Sequence, residues 1–264
     1  MASTTDSRRF GGVGRLYGED GAAVLSRSHV VVVGVGGVGS WAVEALARTG
    51  VGRLTLIDGD TVAVSNTNRQ LHALDGNYGK RKVDAMKERI ALINPECRVE
   101  VSGEFVTSEN IDELVPADAD VVIDCIDDIR GKTALVAAMV RRGTMILVSG
   151  GAAARTDPGR LETADLALVR GDPLLAKIRT NLRKEHGFPR GDKSGRSRRF
   201  GVTAVFSEQP LRQPGADSLK AVGADPAARI GFGSGIVVTA SCGLRLAALA
   251  INSLVSQNAS EDVK

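Results

Sequence analysis

Apolar runs and amphipathic stretches alternate along the first 150 residues of the chain. A continuous β-branched run at 30–35 is typical of a strand buried on both faces of a parallel sheet. After a glycine-rich turn, apolar residues recur at helical spacing up to Gly50, and a second strand is predicted over 53–58. Further strands are predicted at 98–101, 120–124 and 145–148, and helices near 80–92, 108–114 and 130–142. This alternation predicts an α/β fold with a doubly wound, mostly parallel, Rossmann-like sheet.

The pattern becomes less regular after residue 150. Short strand-like stretches are followed by a helix near 173–184, a strand at 202–206 and a polar loop over 207–230. A long apolar helix is predicted at 236–255. We therefore expect one continuous domain in which a C-terminal extension of short strands and helices follows the sheet. Its parts are an N-terminal arm or helix over 1–29, a Rossmann-like core over 30–150 and a C-terminal part over 151–264.

The composition is that of an ordinary globular protein. The 264 residues are 43% hydrophobic and 25% charged, which excludes a disordered or multi-span membrane protein. The helix at 236–255 has nearly the length of a membrane span, but Arg245 near its centre favours a core helix, because a bilayer would penalise that arginine. The N-terminus is polar and no cysteine stands in a C-x-x-C pair, so we expect a cytoplasmic protein with neither zinc nor a membrane partner.

A glycine-rich loop links the first strand to the first helix of the core. Its residues Gly34, Gly36, Gly37 and Gly39 match G-x-G-x-x-G, and Asp58 closes the next strand 19 residues later. Glycines let the backbone approach phosphates, and the helix N-terminus offers unsatisfied N–H groups to their charge. An acidic residue at the end of the second strand can accept the ribose hydroxyls. The core is therefore predicted to bind a nucleotide.

Charged residues near the loop indicate which nucleotide is bound. Arg69 and Lys82 lie in segments that open at the carboxyl edge of the sheet, and the acidic run 124–128 ends the fourth strand of the core. Hydride transfer to NAD has no use for such cations, whereas breaking a phosphoanhydride does. One or two carboxylates of the acidic run, Asp127 among them, could hold Mg²⁺. These residues favour ATP over NAD.

Taken together, these segments resemble the adenylating enzymes of the ThiF, MoeB and ubiquitin-activating superfamily. The similarity covers about 140 residues. The segments that carry it are 34–39, Asp58-Gly-Asp60, Ser65-Asn66-Thr67-Asn68-Arg69-Gln70, 79–82, Ile93-Asn-Pro95 and 124–127.

The resemblance implies a role for each matching polar residue. Asp58 would hold the ribose, and Asp60 would belong to the same ATP site. Asn66, Arg69 and Lys82 would contact the triphosphate, with Arg69 and Lys82 also serving catalysis.

Two further roles, and two absences, follow from the same resemblance. Asp127 would bind Mg²⁺, and Arg15 would reach the phosphates of the partner subunit's ATP, which implies a homodimer with Arg15 as a catalytic residue. Relatives that pass an acyl group to sulfur have a cysteine in a crossover loop, and many hold zinc between two C-x-x-C pairs. The segment 207–230 contains no cysteine and the chain has no such pairs, which disfavours both activities.

Other segments resemble one branch of the superfamily more closely. These are 9–18, 67–73, and 150–152 followed by Asp165-Leu166, and they look like the enzymes that dehydrate threonylcarbamoyladenosine in tRNA. This resemblance implies an ATP-dependent cyclization through an acyl adenylate that releases AMP and pyrophosphate. The partner would be a tRNA that bears threonylcarbamoyladenosine next to the anticodon.

A basic segment at 177–199 offers a surface for a polyanion. Only Glu185 and Asp192 counter its many cations. A solvated loop would have the same composition, but the tRNA resemblance favours RNA contact, in which phosphates are bound at the expense of their counterions. The predicted RNA-binding residues are Arg183, Lys184, Arg190, Lys193, Arg196, Arg198 and Arg199.

Three alternatives remain open at this stage. The chain could adenylate the C-terminus of a sulfur-carrier or ubiquitin-like protein, act as an NAD-dependent oxidoreductase, or serve as an RNA-binding scaffold without catalysis. Some relatives are associated with a cysteine desulfurase system, and the sequence leaves open whether this chain has that partner. His72 borders the Arg69 segment, Cys125 is interpreted as a packing residue, and no general base is identified.

Overall fold

The computed structural model describes residues 8–191, 198–212 and 233–261 and contains a seven-stranded sheet. The strands are β1 (His29–Val33), β2 (Arg53–Ile57), β3 (Arg98–Ser102), β4 (Val121–Asp124), β5 (Met145–Ser149), β6 (Leu161–Asp165) and β7 (Thr203–Ser207). The helices are α1 (Gly11–Arg27), α2 (Gly39–Arg48), α3 (Lys82–Ile93), α4 (Ile111–Leu114), α5 (Ile129–Arg142), α6 (Pro173–Glu185) and α7 (Ile236–Glu261). The predicted α/β class is confirmed.

The strand order is β3-β2-β1-β4-β5-β7-β6, and only β6 runs antiparallel to its neighbour. The chain order reverses between β1 and β4, which makes a crevice at their carboxyl ends. The register pairs Val33, the last residue of β1, with Ile57 on one side and Asp124 on the other. The glycine loop, the segment after β2 and the acidic run therefore begin side by side.

Helices cover both faces of the sheet. Alternate residues of β1 point to opposite layers: Val30 and Val32 pack with α1, α2, α3 and α7, whereas Val31 and Val33 pack with α5 and α6. All four valines are buried, as expected for a central parallel strand.

The long apolar helix predicted at 236–255 is α7, which packs along α2 and against the sheet. Gly243 allows this close approach, because a β-carbon there would collide with the carbonyl oxygen of Val38. Arg245 donates a hydrogen bond to the carbonyl oxygen of Leu161 in β6. Within the part of the chain that is described, Ile236–Ser256 is the one helix long and apolar enough to cross a membrane by length and composition. Its packing in the core accounts for that composition.

Some elements differ from the prediction. The helix predicted over 108–114 is a single turn, α4, and α1 is interrupted at Gly18, whose φ is 78°. The strand-like stretches after residue 150 become the antiparallel edge strand β6. Most of the predicted polar loop at 207–230 lies outside the described residues.

Candidate functional site

A cavity of about 740 Å³ opens at the carboxyl edge of the sheet, where the strand order reverses. It collects residues that are far apart in the sequence. The predicted site residues that line it are Gly34, Gly36, Gly37, Asp58, Asp60, Asn66, Arg69, Lys82 and Asp127. Gly39 does not line it but supports the loop from behind.

The glycines of the loop differ in how much space surrounds them. Gly34 has a φ of 85°, and a β-carbon there would lie 2.9 Å from the carbonyl carbon of Cys125. At Gly36 the nearest atom would be 3.8 Å away, so this position leaves room in the cavity. The N-cap residue of α2 is Val38, whose side chain caps no N–H group. The start of α2 can therefore offer backbone donors and its positive dipole end to an anion.

Asp58 connects the glycine loop to the segment after β2. Its two carboxylate oxygens accept hydrogen bonds from the backbone N–H of Val35 at 2.7 Å and of Asp60 at 2.9 Å. Burial raises the pKa of Asp58, and the nearby Lys82 ammonium opposes this shift. Each oxygen keeps further acceptor capacity toward the cavity. This arrangement suits the predicted contact with ribose hydroxyls.

Lys82 is the first residue of α3 and is buried at the cavity wall. Its ammonium lies 2.6 Å from Oδ2 of Asp60, whose side chain is 53% exposed. His72 is buried behind it, and burial together with the Lys82 charge lowers the pKa of His72 to about 4. The imidazole is therefore neutral near pH 7, and Lys82 supplies the positive charge on this side.

Arg69 lies at the rim of the cavity in a fixed position. Its guanidinium donates to the carbonyl oxygen of Ser65 at 2.9 Å and to Oδ1 of Asn68 at 3.0 Å. Its backbone carbonyl accepts a hydrogen bond from the Trp41 indole at 3.1 Å. The aliphatic part packs against Gly37, where a β-carbon would lie 3.2 Å from Cγ of Arg69. These contacts hold the guanidinium beside the glycine loop.

Two buried amide side chains, those of Asn66 and Gln70, line the cavity together with Arg69. Asn66 is buried, and its side-chain oxygen accepts a hydrogen bond from the backbone N–H of Ala63 at 3.0 Å, closing a short turn. Gln70 is also buried and lines the cavity. Its Oε1 has no hydrogen-bond partner among the described residues. Gln70 was part of the motif but was not predicted as a site residue.

The three aspartates of the acidic run 124–128 have different roles in the structure. Asp124 is buried and pairs with Lys132, and Asp128 caps α5 by accepting a hydrogen bond from the Gly131 N–H at 2.6 Å. Asp127 is exposed at the cavity. Residues 8–191, 198–212 and 233–261 contain no group of three or more His, Cys, Asp or Glu side chains that could hold a metal ion. A magnesium site here would therefore use Asp127 together with phosphate oxygens and water.

The far wall of the cavity begins at Gly150 and Gly151, and the pair Asp172 and Arg155 that supports it was not predicted from the sequence. One oxygen of Asp172 accepts a hydrogen bond from the Gly151 N–H at 3.0 Å and lies 3.3 Å from the guanidinium of Arg155. The other oxygen caps α6 through the Leu175 N–H at 2.9 Å. Both charged side chains are buried. The Asp-Pro pair that starts α6 was the only local signal.

An apolar residue completes the cavity on the side of β3. Phe105 follows this strand, packs over Gly59 and is 64% exposed. Nothing in the sequence pattern marked this residue.

Arg15 does not join this chain's own cavity. It lies exposed on α1 and is absent from the residues that line the cavity in the described structure. Its role toward a partner subunit stays a prediction.

The described residues of the basic segment, 177–191 and 198–199, extend from α6 to the edge of the sheet opposite the cavity. Helix α6 starts beside the cavity at Leu174 and runs away from it, so Lys184 lies about 15 Å further along the helix axis. Residues 198–202 precede β7, which runs parallel to β5, and so they lie at the amino edge.

The predicted RNA-binding residues are not equivalent in the structure. Arg183 is half-buried: it donates to the carbonyl oxygen of Pro189 at 3.2 Å and lies 5.3 Å from the ring centre of Phe200. The cations exposed to solvent are Lys184, Arg190, Arg198 and Arg199. Lys193 and Arg196 lie outside the described residues.

Comparison with known proteins agrees with this geometry. The ThiF family model matches residues 12–197. The chain is 43% identical to the tRNA threonylcarbamoyladenosine dehydratase of Haemophilus influenzae over 95% of this chain and 94% of that protein. Two crystal structures of the Escherichia coli tRNA N6-threonylcarbamoyladenosine dehydratase TcdA, one with ATP and one with AMP, each match with a TM-score of 0.85 and 42% identity. Both alignments cover 96% of either chain.

Proposed function

The chain belongs to the ThiF family, and from this premise we propose that it uses ATP to dehydrate threonylcarbamoyladenosine in tRNA. The observation that carries the proposal is the cavity in which the N-terminus of α2, Arg69 and Lys82 surround one space. Such an arrangement stabilises negative charge that moves between phosphate oxygens. Identity to dehydratases over nearly the whole chain supports the choice of substrate.

The first step makes a leaving group. An oxygen of the threonine carboxylate attacks the α-phosphorus of ATP, and the bond between that phosphorus and the bridging oxygen of pyrophosphate breaks. The products are an acyl adenylate and pyrophosphate. Charge builds on the attacked and leaving phosphate oxygens, next to the Arg69 guanidinium and the Lys82 ammonium.

The second step closes the ring. A nitrogen or oxygen of the same modified side chain attacks the acyl carbon, loses its proton, and displaces AMP. The former carboxylate oxygen leaves in AMP, so the nucleoside becomes lighter by one water. A well-oriented intramolecular nucleophile has an effective molarity of about 10⁵ M or more, so the reaction needs no covalent enzyme intermediate.

Different cavity residues would bind different parts of the nucleotide. Asp58 would accept hydrogen bonds from the ribose, and the backbone donors at the start of α2 would bind phosphate oxygens. The Lys82 ammonium lies 2.6 Å from the exposed carboxylate of Asp60. When ATP binds, the ammonium would leave this carboxylate and contact the triphosphate instead. Asp127 would hold Mg²⁺, which supplies further neutralisation of phosphate charge.

The position of the exposed cations suggests how tRNA lies on the protein. Lys184, Arg190, Arg198 and Arg199 lie at the amino edge of the sheet, whereas the reaction occurs at the carboxyl edge. An anticodon arm whose modified base enters the cavity would therefore extend along the α5 and α6 side, with its phosphates near these cations. Affinity from such contacts falls as salt concentration rises.

A direct experiment measures AMP release from ATP in three parallel reactions. The first contains tRNA with linear threonylcarbamoyladenosine, the second unmodified tRNA, and the third no tRNA. We expect AMP only in the first reaction, together with a nucleoside that mass spectrometry finds lighter by one water. No AMP with any tRNA would contradict the proposal, and proteins with a Gly-Gly tail would then be tested as substrates.

A further inference from the structure

Lys132 is a fully buried lysine that the proposed reaction does not use. Its side chain has 0% relative exposure, as does that of its partner Asp124. Removing an ammonium group from water costs several kcal/mol, so a buried lysine persists only where its hydrogen bonds compensate for the loss. Neither residue lines the cavity.

The Lys132 ammonium has three oxygen neighbours. It lies 2.9 Å from Oδ1 of Asp124 and donates to two backbone carbonyls, that of Asp124 at 3.2 Å and that of Ile126 at 3.0 Å. An ammonium has three N–H donors, so these contacts use all of them. Two of the three acceptors belong to the backbone at the point where β4 ends and the chain turns toward α5.

This stretch of backbone supports two walls of the cavity. Asp127 follows Ile126 directly and is exposed at the cavity. The peptide of Cys125 lies against Gly34, where a β-carbon would be 2.9 Å from its carbonyl carbon and 3.0 Å from its carbonyl oxygen. A shift of the backbone at 124–126 would therefore move both the predicted metal ligand and the first turn of the glycine loop.

We propose that Lys132 is a positioning residue, whose ammonium fixes the backbone at 124–126 and so holds Asp127 and Gly34 in the arrangement that binds ATP. The inference rests on the proposed use of ATP but does not depend on the tRNA substrate. This positioning role of Lys132 differs from a role in stabilising the fold alone. A buried ion pair that only stabilises the fold can be replaced by neutral side chains of similar size without harm to the site.

The experiment compares a neutral double variant, D124N/K132M, with the wild type and with D124N. The double variant leaves no unpaired charge in the core, but the carbonyls of residues 124 and 126 lose their donor. Thermal unfolding measures stability, and isothermal titration with ATP measures affinity in the presence and absence of Mg²⁺. A matched control, E44Q/R89M, removes a different ion pair in which Arg89 lies 2.7 Å from Glu44, away from the cavity.

We expect D124N/K132M to unfold at a higher temperature than D124N, in which the buried Lys132 ammonium has lost its counter-charge, but to bind ATP with Mg²⁺ at least tenfold more weakly than the wild type. The control is expected to lose stability without losing affinity. Wild-type affinity in the folded double variant would overturn the positioning role. No ATP binding by the wild type would instead overturn the proposed function itself.

A second variant keeps the test decisive if D124N/K132M does not fold. D124N/K132Q retains amide N–H donors at residue 132 within a neutral core. We expect it to fold and to bind ATP more weakly than the wild type, because glutamine is shorter than lysine and cannot supply all three contacts. Wild-type affinity in this variant would equally overturn the positioning role.

Discussion

The α-carbon of Gly39 faces the carbonyl oxygen of Gly34 so closely that any β-carbon at residue 39 would overlap it. Gly36, in the same motif, faces the cavity instead, and its nearest neighbour would be Nε2 of Gln70 at 3.8 Å. Gly39 is therefore required for folding of the loop, whereas Gly36 leaves space for a ligand.

Alanine substitutions are expected to separate these two roles. Gly39→Ala forces the loop away from α2 and is expected to lower the free energy of unfolding by about 1–3 kcal/mol. Gly36→Ala is expected to keep the wild-type free energy of unfolding and to weaken ATP binding, because the methyl group enters the cavity. Urea denaturation and calorimetric titration measure the two effects. Equal loss of stability in both variants would contradict this division.

Lys82→Met is expected to lower kcat/KM for AMP formation by about 10²–10³, the usual cost of removing one group that stabilises transition-state charge. Lys80→Met is the matched control, because Lys80 precedes the same helix but pairs with Glu88 at 2.7 Å outside the cavity. Steady-state kinetics with modified tRNA measure both variants. A similar loss in the two variants would indicate a general effect of charge rather than a contact with the phosphates.

Mixed dimers test whether Arg15 acts on the partner's ATP. Arg15→Ala and Lys82→Met are each expected to be inactive alone. After random subunit exchange, half of the dimers are mixed and each mixed dimer has one complete site, so activity is expected to return to about one quarter of the wild-type value. If Arg15 acted within its own chain, mixing would restore nothing, and sedimentation analysis showing only monomers would contradict the homodimer.

His72 is expected to make stability depend on pH. Burial and the neighbouring Lys82 lower its pKa from 6.5 to about 4 in the folded protein. Between these two values the unfolded chain binds the proton more tightly, so the folded state loses stability as pH falls. The loss from pH 7 to pH 5 is expected to be about 2 kcal/mol from this residue.

The control for this prediction is His72→Leu, which keeps an apolar volume but has nothing to protonate. Neither ring nitrogen of His72 has a hydrogen-bond partner in the described part of the chain. Replacing the imidazole with leucine therefore breaks no hydrogen bond there. Urea denaturation at pH 7 and pH 5 gives the free energy of unfolding for each protein. The same pH dependence in the variant would assign the effect to other groups.

The features that could be predicted rest on local patterns. The valine run of β1, the glycine loop and Asp58 at the end of β2 occur in an order that specifies a parallel βαβ unit, so their meeting at one edge followed directly. Arg69 and Lys82 could be placed at the same edge because both belong to the connection that leads from the end of β2 to the start of α3.

The features that could not be predicted depend on tertiary contacts. In the sequence Lys132 looks like an ordinary surface cation, and only the packing of α5 shows that it is buried with its ammonium against Asp124. Similarly, Lys184 lies away from the cavity because of the direction in which α6 runs, which composition does not reveal. In the sequence Arg183 is indistinguishable from the other cations of the segment. Only the structure shows that its guanidinium contacts the Phe200 ring.

Asp172 links the cavity wall to a helix through a single carboxylate, since it holds both the Gly151 and Leu175 amides. A displacement of Gly151 would therefore act on the same side chain that caps α6, so the wall and the start of the helix are coupled at this residue. We expect the amide hydrogens of Gly151 and Leu175 both to exchange with solvent more slowly when a ligand binds against the wall. The last turn of α6 carries Lys184, so a single helix joins the cavity wall to an exposed cation at the opposite edge of the sheet.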